Sequence, residues 1–187
     1  KFNKKISVIV VENSKDVVFR DFLQKKYKNV EVVVTKKNKG FSDALNIGIK
    51  KSTKKYVLYL DNDIVINDRQ ILKIIAKGQS IKKFGAITAK IHKQEYKDLI
   101  LNKPKIQGLK SVSYNTGCVM LLERKTLKRM NYFDNNIFLY FEESDYYKRC
   151  QNNNYPILLF EGITIKHEGA SSLDKKYLKE YNKVRCW

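Results

Sequence analysis

A run of five apolar residues, Tyr56-Val57-Leu58-Tyr59-Leu60, stops at two carboxylates, Asp61 and Asp63. Its Tyr, Val and Leu content, with no Gly or Pro, reads as a strand. A continuous rather than alternating run suits a strand covered on both faces, as in a parallel sheet. The carboxylates then lie at the C-terminal end of that strand, where ligands bind in open α/β sheets. Two acids one residue apart repel each other. A hard divalent cation between them would relieve the repulsion and bridge to phosphate. An acidic turn, with Asp63 or Asn67 capping the next helix, explains the same residues without a ligand. On Asp61-Asn62-Asp63 alone the acidic turn is the simpler account, so the rest of the chain has to decide.

Upstream, Ile6–Val11 and Val30–Thr35 are β-branched runs and read as strands. Between them Val18, Phe22 and Leu23 share a helical face, with Ser14 as a candidate N-cap. Strand, helix, strand is the order of a βαβ unit. Gly40 then provides a turn, and Ser42 or Asp43 can cap a helix carrying Ala44, Leu45, Ile47 and Ile49. A helix that starts just after a strand offers backbone N–H groups to a phosphate, although an ordinary loop-to-helix junction reads the same way.

Downstream, Asn67 and Gln70 have capping-box spacing ahead of a helix through Ile71, Leu72, Ile74 and Ile75. Phe84–Ile91 reads as a strand. Residues 92–113 are Lys-rich and irregular, a lid, acceptor loop or disordered insert by length. Arg124–Met130 is a short helix candidate. Glu142, Glu143 and Asp145 then crowd three acids into four positions at a helix start. Glu142 and Asp145 share one side at i, i+3, and Glu143 points to a neighbouring side. Such a cluster raises at least one carboxyl pKa, which a general base can use; dipole-favouring acids on an exposed helix are the plain alternative. Pro156–Phe160 and Ile163–Ile165 read as short strands leading to His167, and Tyr177, Leu178 and Tyr181 give a weak amphipathic helix.

With 187 residues and 43% hydrophobic content, the chain reads as one domain, 1–187, able to bury a core. No apolar run approaches the roughly 18 residues of a membrane span, and no signal peptide is visible. Three widely spaced cysteines fit neither a disulfide framework nor a zinc site, so a reducing cytoplasm is the expected compartment. The net charge of +19 admits nucleic acid, an anionic membrane or an anionic substrate as partner. Lys is spread along the whole chain with no Arg-rich arm, which points away from nucleic acid.

Taken together, these segments resemble the inverting family 2 glycosyltransferases of the GT-A fold, in their rhamnosyltransferase-like branch. Val10-Val11-Glu12-Asn13-Ser14-Lys15-Asp16 is similar to the family's strand ending in Val-Asp-Asn-x-Ser-x-Asp. Asn38-Lys39-Gly40-Phe41 followed by Asn46-Ile47-Gly48-Ile49 resembles its Asn-x-Gly-Phe…Asn-x-Gly-Ile segment. Asp61-Asn62-Asp63 matches its Asp-x-Asp position, and Thr116-Gly117-Cys118 its Ser-Gly-Ala element. Phe133-Asp134 with Glu142-Glu143-Ser144-Asp145 resembles Phe-Asp-Glu…Glu-Asp-x-Asp, with Arg149 at the following Arg. His167…Ser171 resembles the closing His-x-x-x-Ser. Each motif is weak alone; in order over nearly the whole chain they make a strong signal.

The resemblance implies a GT-A, Rossmann-like, mostly parallel sheet flanked by helices. It implies transfer of a sugar from a nucleoside-diphosphate sugar to an acceptor hydroxyl, in cell-envelope polysaccharide or glycolipid synthesis. Asp63, Asp61 and His167 would hold Mg²⁺ or Mn²⁺. Glu143 would be the base, with Asp145 second and Glu142 beside them. Glu12, Asn13, Asn38, Gly40, Asp61, Gly117 and Arg149 would line the substrate site. The acceptor would be a glycan or lipid-linked, with the protein cytoplasmic or peripheral at the inner membrane face.

Departures from the pattern are Glu12 and Glu143, each standing for the usual Asp. The family's opening strand–Thr-Tyr-Asn–helix unit has no counterpart here, so a partial domain is expected, one that turns over or an inactive remnant that only binds nucleotide sugar. A nucleotidyltransferase shares the strand–Asp pattern but would carry an early Gly-rich basic loop, which this sequence lacks.

Overall fold

The computed structural model describes residues 6–95, 99–101 and 108–167. In chain order the elements are β1 (Val8–Glu12), α1 (Val17–Lys26), β2 (Val30–Val34), α2 (Gly40–Lys51), β3 (Tyr56–Leu60), β4 (Ile64–Val65), α3 (Asp68–Gln79), β5 (Ala86–Ile91), β6 (Leu109–Val112), β7 (Val119–Glu123), α4 (Arg124–Arg129), α5 (Glu142–Asn152) and β8 (Ile157–His167).

They make two sheets. One is the parallel pair β1–β2, in which Val8 faces Val30 and Glu12 faces Val34. The other has six strands in the order β3-β7-β5-β8-β4, with β6 also paired to β8. Here β5–β8 is parallel, while β3–β7, β5–β7, β4–β8 and β6–β8 are antiparallel. The α/β class is as expected, but the expected mostly parallel sheet is mixed: among the described residues β3 has one partner strand, antiparallel β7. An apolar run reports cover on both faces and is silent about the direction of its neighbours.

The six-stranded sheet forms the core by period-2 alternation. Ala86, Met120, Leu122, Ile157 and Leu159 face one side, under α2, α4 and α5 with Leu45, Ile49, Leu127, Tyr146 and Tyr147. Ile87, Val119, Leu121, Leu158 and Ile165 face the other, under α3 with Ile74 and Phe84. Both faces are dry, so β5, β7 and β8 are apolar at successive positions.

Several local expectations shift. Asp16, not Ser14, caps α1 by accepting from Phe19 N at 2.8 Å, because Ser14 is bonded to Glu12. Neither Ser42 nor Asp43 caps α2; the helix begins at Gly40 without a side-chain cap. The capping box at Asn67 and Gln70 forms as expected. Part of the irregular stretch after His92 is ordered, as β6 and an Ile100–Val112 bridge. The two short strands near the end are one, β8, with a register shift opposite Ala89–Lys90. Ser171 and the helix around Tyr177, Leu178 and Tyr181 lie outside the described residues.

α2 ties the two sheets together. On one side Val11 of β1 lies 3.1 Å from where a Gly48 Cβ would stand. On the other, Phe41 meets Tyr59 of β3 edge-to-face at 5.6 Å between ring centres, and Leu45 and Ile49 join the larger core. β1 and β3 each lie at the end of their sheet under the same helix.

Candidate active site

β3 delivers Asp61 and Asp63 to the C-terminal end of the six-stranded sheet. The Asp61 N–H donates to Cys118 O at 2.9 Å, which extends the β3–β7 pairing to the first acid. The chain then turns into β4, whose Ile64 lies opposite His167 of β8. That pairing sets His167 Nε2 3.1 Å from Asp63 Oδ1. One ligand atom from each of Asp61, Asp63 and His167 falls within 4.8 Å of the other two. Asp63 Oδ1 is buried and accepts no hydrogen bond from the described residues, although the imidazole is close. Burial raises the Asp61 pKa, and the Asp63 charge adds to it; the Tyr59 hydroxyl donating to Asp61 Oδ1 and the nearby His167 work the other way. Two crowded carboxylates with an imidazole, one oxygen left over, form an oxygen-rich donor set that fits a divalent ion with mixed O/N ligands.

The second acid group is aimed by backbone strain. Tyr140 (φ 67°) and Phe141 (φ 71°) are both left-handed, a conformation that costs non-glycine residues of order 1–3 kcal/mol each. They turn the chain so that α5 starts at Glu142 with both leading acids buried. Glu142 Oε2 is buried with no hydrogen-bond partner among the described residues. Burial, with the charges of Glu143 and Asp61, pushes the Glu142 pKa up to about 7, against a backbone hydrogen bond that lowers it. Glu143 points elsewhere: its Oε1 accepts from Tyr114 OH at 2.5 Å. Gly117 leaves room for it, since a Cβ there would come 3.1 Å from Glu143 Cβ. Asp145 is engaged by Arg149, whose Nε and Nη2 lie 2.9 and 2.5 Å from its Oδ2. Arg149 Nη1 also donates to Met130 O. Arg149 and Asp145 thus brace α5 against the turn after α4.

The third group is a polar junction between β1 and α2. Asn13 Oδ1 accepts from Thr35 Oγ1 and Lys39 N, both at 3.1 Å. Its Nδ2 donates to Asn38 Oδ1 at 3.0 Å and Gly40 O at 3.1 Å. Glu12 spends its carboxylate inside its own loop, on Ser14 N, Ser14 Oγ and Asp16 N at 2.8, 2.5 and 2.7 Å. Burial would raise its pKa, but these bonds outweigh burial and lower it. Gly40 (φ +78°) has no space for a side chain: a Cβ would stand 2.6 Å from Phe138 O. This close approach joins the junction to the loop that leads into α5, through Phe41 N donating to Phe138 O at 2.6 Å.

The structure therefore brings Asp61, Asp63 and His167 together, sets Glu142 within electrostatic reach of Asp61, and links Asn13, Asn38 and Gly40 into one cluster. Arg149 and Asp145 pair with each other on α5. Sequence reasoning passed over Tyr59 and Tyr114. Tyr59 was accessible, because residues i and i+2 of a strand share a face. Tyr114 carries no local signal, being 29 positions from Glu143.

The model of the family described as Glycosyl transferase family 2 matches residues 2–181. The chain belongs to this family. Among curated relatives, a poly-beta-1,6-N-acetyl-D-glucosamine synthase of Staphylococcus epidermidis (strain RP62A) is 29% identical over 136 residues, 66% of this chain and 32% of the relative. The chain thus spans about a third of the length of the curated relatives it matches. Among solved structures, the mannosyltransferase PcManGT from Pyrobaculum calidifontis, in complex with GDP-Man and Mn2+, superposes with a TM-score of 0.73 at 14% identity, over 97% of this chain and 52% of that one. S. aureus TarS 1-349 in complex with UDP gives 0.66 at 17% identity, over 89% and 52%. At such identities the likeness establishes the fold, and this glycosyl transferase family 2 member has the GT-A-type α/β architecture that its sequence implies.

Proposed function

We propose that this domain transfers a sugar, with inversion, from a nucleoside-diphosphate sugar to an acceptor hydroxyl in cell-envelope glycan synthesis. The observation that carries the proposal is the Asp61–Asp63–His167 group at the end of β3, with its three ligand atoms mutually within 4.8 Å and one Asp63 oxygen unbonded. Asp63 and His167 would hold Mg²⁺ or Mn²⁺, with Asp61 beside them; the ion would neutralise the charge growing on a diphosphate leaving group. The family, a relative named for polysaccharide synthesis and neighbours solved with GDP-Man and Mn2+ or with UDP support the donor class. The cluster of Asn13, Asn38 and Gly40 stands for the nucleoside side.

For the acceptor proton, the family motif points to Glu143, while the geometry favours Glu142. Asp145 is engaged by Arg149 and one Glu143 oxygen by Tyr114. Glu142 keeps a free buried oxygen and has a pKa near the working range of a general base.

Calorimetric titration with UDP-N-acetylglucosamine and GDP-mannose, with and without Mn²⁺, tests the proposal. One donor should bind only with the ion. Asp63→Asn should weaken that binding at least about tenfold, the scale of a lost charge-assisted contact. Glu142→Gln should leave it intact. Donor binding indifferent to both the ion and Asp63 would overturn the assignment.

A further inference from the structure

Asp61 and Asp63 differ in how they are held. Asp63 Oδ1 accepts no hydrogen bond from the described residues, and His167 Nε2 stands 3.1 Å from it. Asp61 Oδ1 accepts from the Tyr59 hydroxyl. Residues i and i+2 of a strand point to one face, so β3 itself presents the phenol to the acid that follows it. Tyr59 is also a firm support. Its main chain pairs with Met120 in the β3–β7 ladder, and the Asp61 N–H continues that ladder onto Cys118 O at 2.9 Å. Its ring meets Phe41 edge-to-face, with 5.6 Å between centres and 82° between planes. Phe41 is fixed in turn by its N–H on Phe138 O, and the Tyr59 side chain packs against the core that α2 and α5 cover.

An aspartate side chain turns about two bonds, and the second of these is soft. Asp61 and Asp63 carry like charges, so an unsupported Asp61 would swing away whenever no ion lies between them, and a binding ion would have to draw it back. A hydrogen bond donated to Oδ1 sets the carboxylate in advance of the ion. It also leaves acceptor capacity to spare, because an ionised carboxyl has about four lone-pair sites. Partners that stand behind a ligating group in this way carry about 10–100-fold in metal affinity. The contrast between the two acids then has a purpose. Asp61 is held before the ion arrives, whereas the unbonded Asp63 oxygen is left for the ion.

We propose that Tyr59 is a positioning residue of the site: its hydroxyl holds Asp61 in the orientation that completes the ion site with Asp63 and His167. The inference rests on the metal reading given under Proposed function, and adds to it a residue that itself touches neither ion nor substrate.

The melting temperature followed against Mn²⁺ concentration, with UDP and with GDP present in turn, tests it, since an ion that binds the folded chain stabilises it. Tyr59→Phe keeps the ring and its contact with Phe41 and removes only the hydroxyl. The Mn²⁺ concentration at which stabilisation sets in should rise about tenfold or more in this variant. Tyr56→Phe makes the same change on the other face of β3, where Tyr56 stacks on Phe84 with 6.5 Å between ring centres, and should leave the onset where the parent has it. An unmoved onset in Tyr59→Phe, even with a lower metal-free melting temperature, would make the bond structural only and overturn the proposal. An equal rise in Tyr56→Phe would overturn it too. Asp63→Asn should show no Mn²⁺-dependent stabilisation. If the parent and Asp63→Asn respond alike to Mn²⁺, the metal reading fails and Tyr59 loses its role with it; if they differ and Tyr59→Phe follows the parent, the Tyr59 assignment alone fails.

Discussion

The two sheets are built from equally apolar sequences and are buried very differently. β5, β7 and β8 carry residues such as Ile87, Leu121 and Leu158 at 0% exposure. In the β1–α1–β2 unit, α1 has no buried residue, and Val8, Ile9, Val10 and Val11 are all half-buried. β-branched composition thus measures what a strand can bury, and its neighbours decide what it does bury. The difference also divides the site. Asp61, Asp63, His167 and Glu142 stand on or against the well-packed sheet, while Asn13 and Asn38 stand at the end of the thinly covered pair.

The largest effect expected from this contrast is on stability. Leu121→Ala should cost about 3 kcal/mol or more, because it empties a dry position between two packed layers. Val10→Ala in β1 should cost about 1 kcal/mol, since that side chain is only partly buried. Urea denaturation of the two variants measures the gap, and equal losses would remove the distinction between the sheets.

A second expectation concerns the rigid half alone. Glu142 has a pKa near 7 when folded and an ordinary carboxyl value when unfolded. Between about pH 4.5 and 7 the folded chain therefore holds more protons, and stability falls as pH rises through that window. Glu142→Gln removes the proton. In the absence of divalent ions it should be the more stable protein above neutrality, by about 2 kcal/mol after allowance for solvent screening at the rim of the site, and should match the parent near pH 4. Melting curves against pH would show this; parallel curves for the two proteins would mean that Glu142 titrates normally.

The smallest effect belongs to α1. Val18→Ser, at a position 76% exposed, should change stability by less than about 0.5 kcal/mol. A loss of several times that would show that α1 is covered in solution.

Much of this was legible in the chain because it is local. Tyr56–Leu60, the Asn67–Gln70 capping box and the Asp61–Asp63 pair each depend on residues within a few positions of one another, and each forms. What was not legible depends on distant chain. The antiparallel placement of β7 against β3 joins residues as distant as Tyr56 and Glu123. The pairing of Asp145 with Arg149 lay within reach of an i, i+4 argument, whereas that of Glu143 with Tyr114 did not. Glu12 shows the opposite limit: an acid at a strand end has the same signature whether it meets a ligand or, as here, ties its own turn.

Among the described residues β3 pairs on one side, with β7, and this has a consequence for the protein as a colloid. An apolar, half-buried strand at the end of a sheet is a template for pairing with another molecule. The net charge of +19 opposes that encounter by mutual repulsion, at a range set by the Debye length. Dilute buffer should therefore keep molecules apart, and moderate salt, by screening the lysines, should bring β3 within reach of its copies.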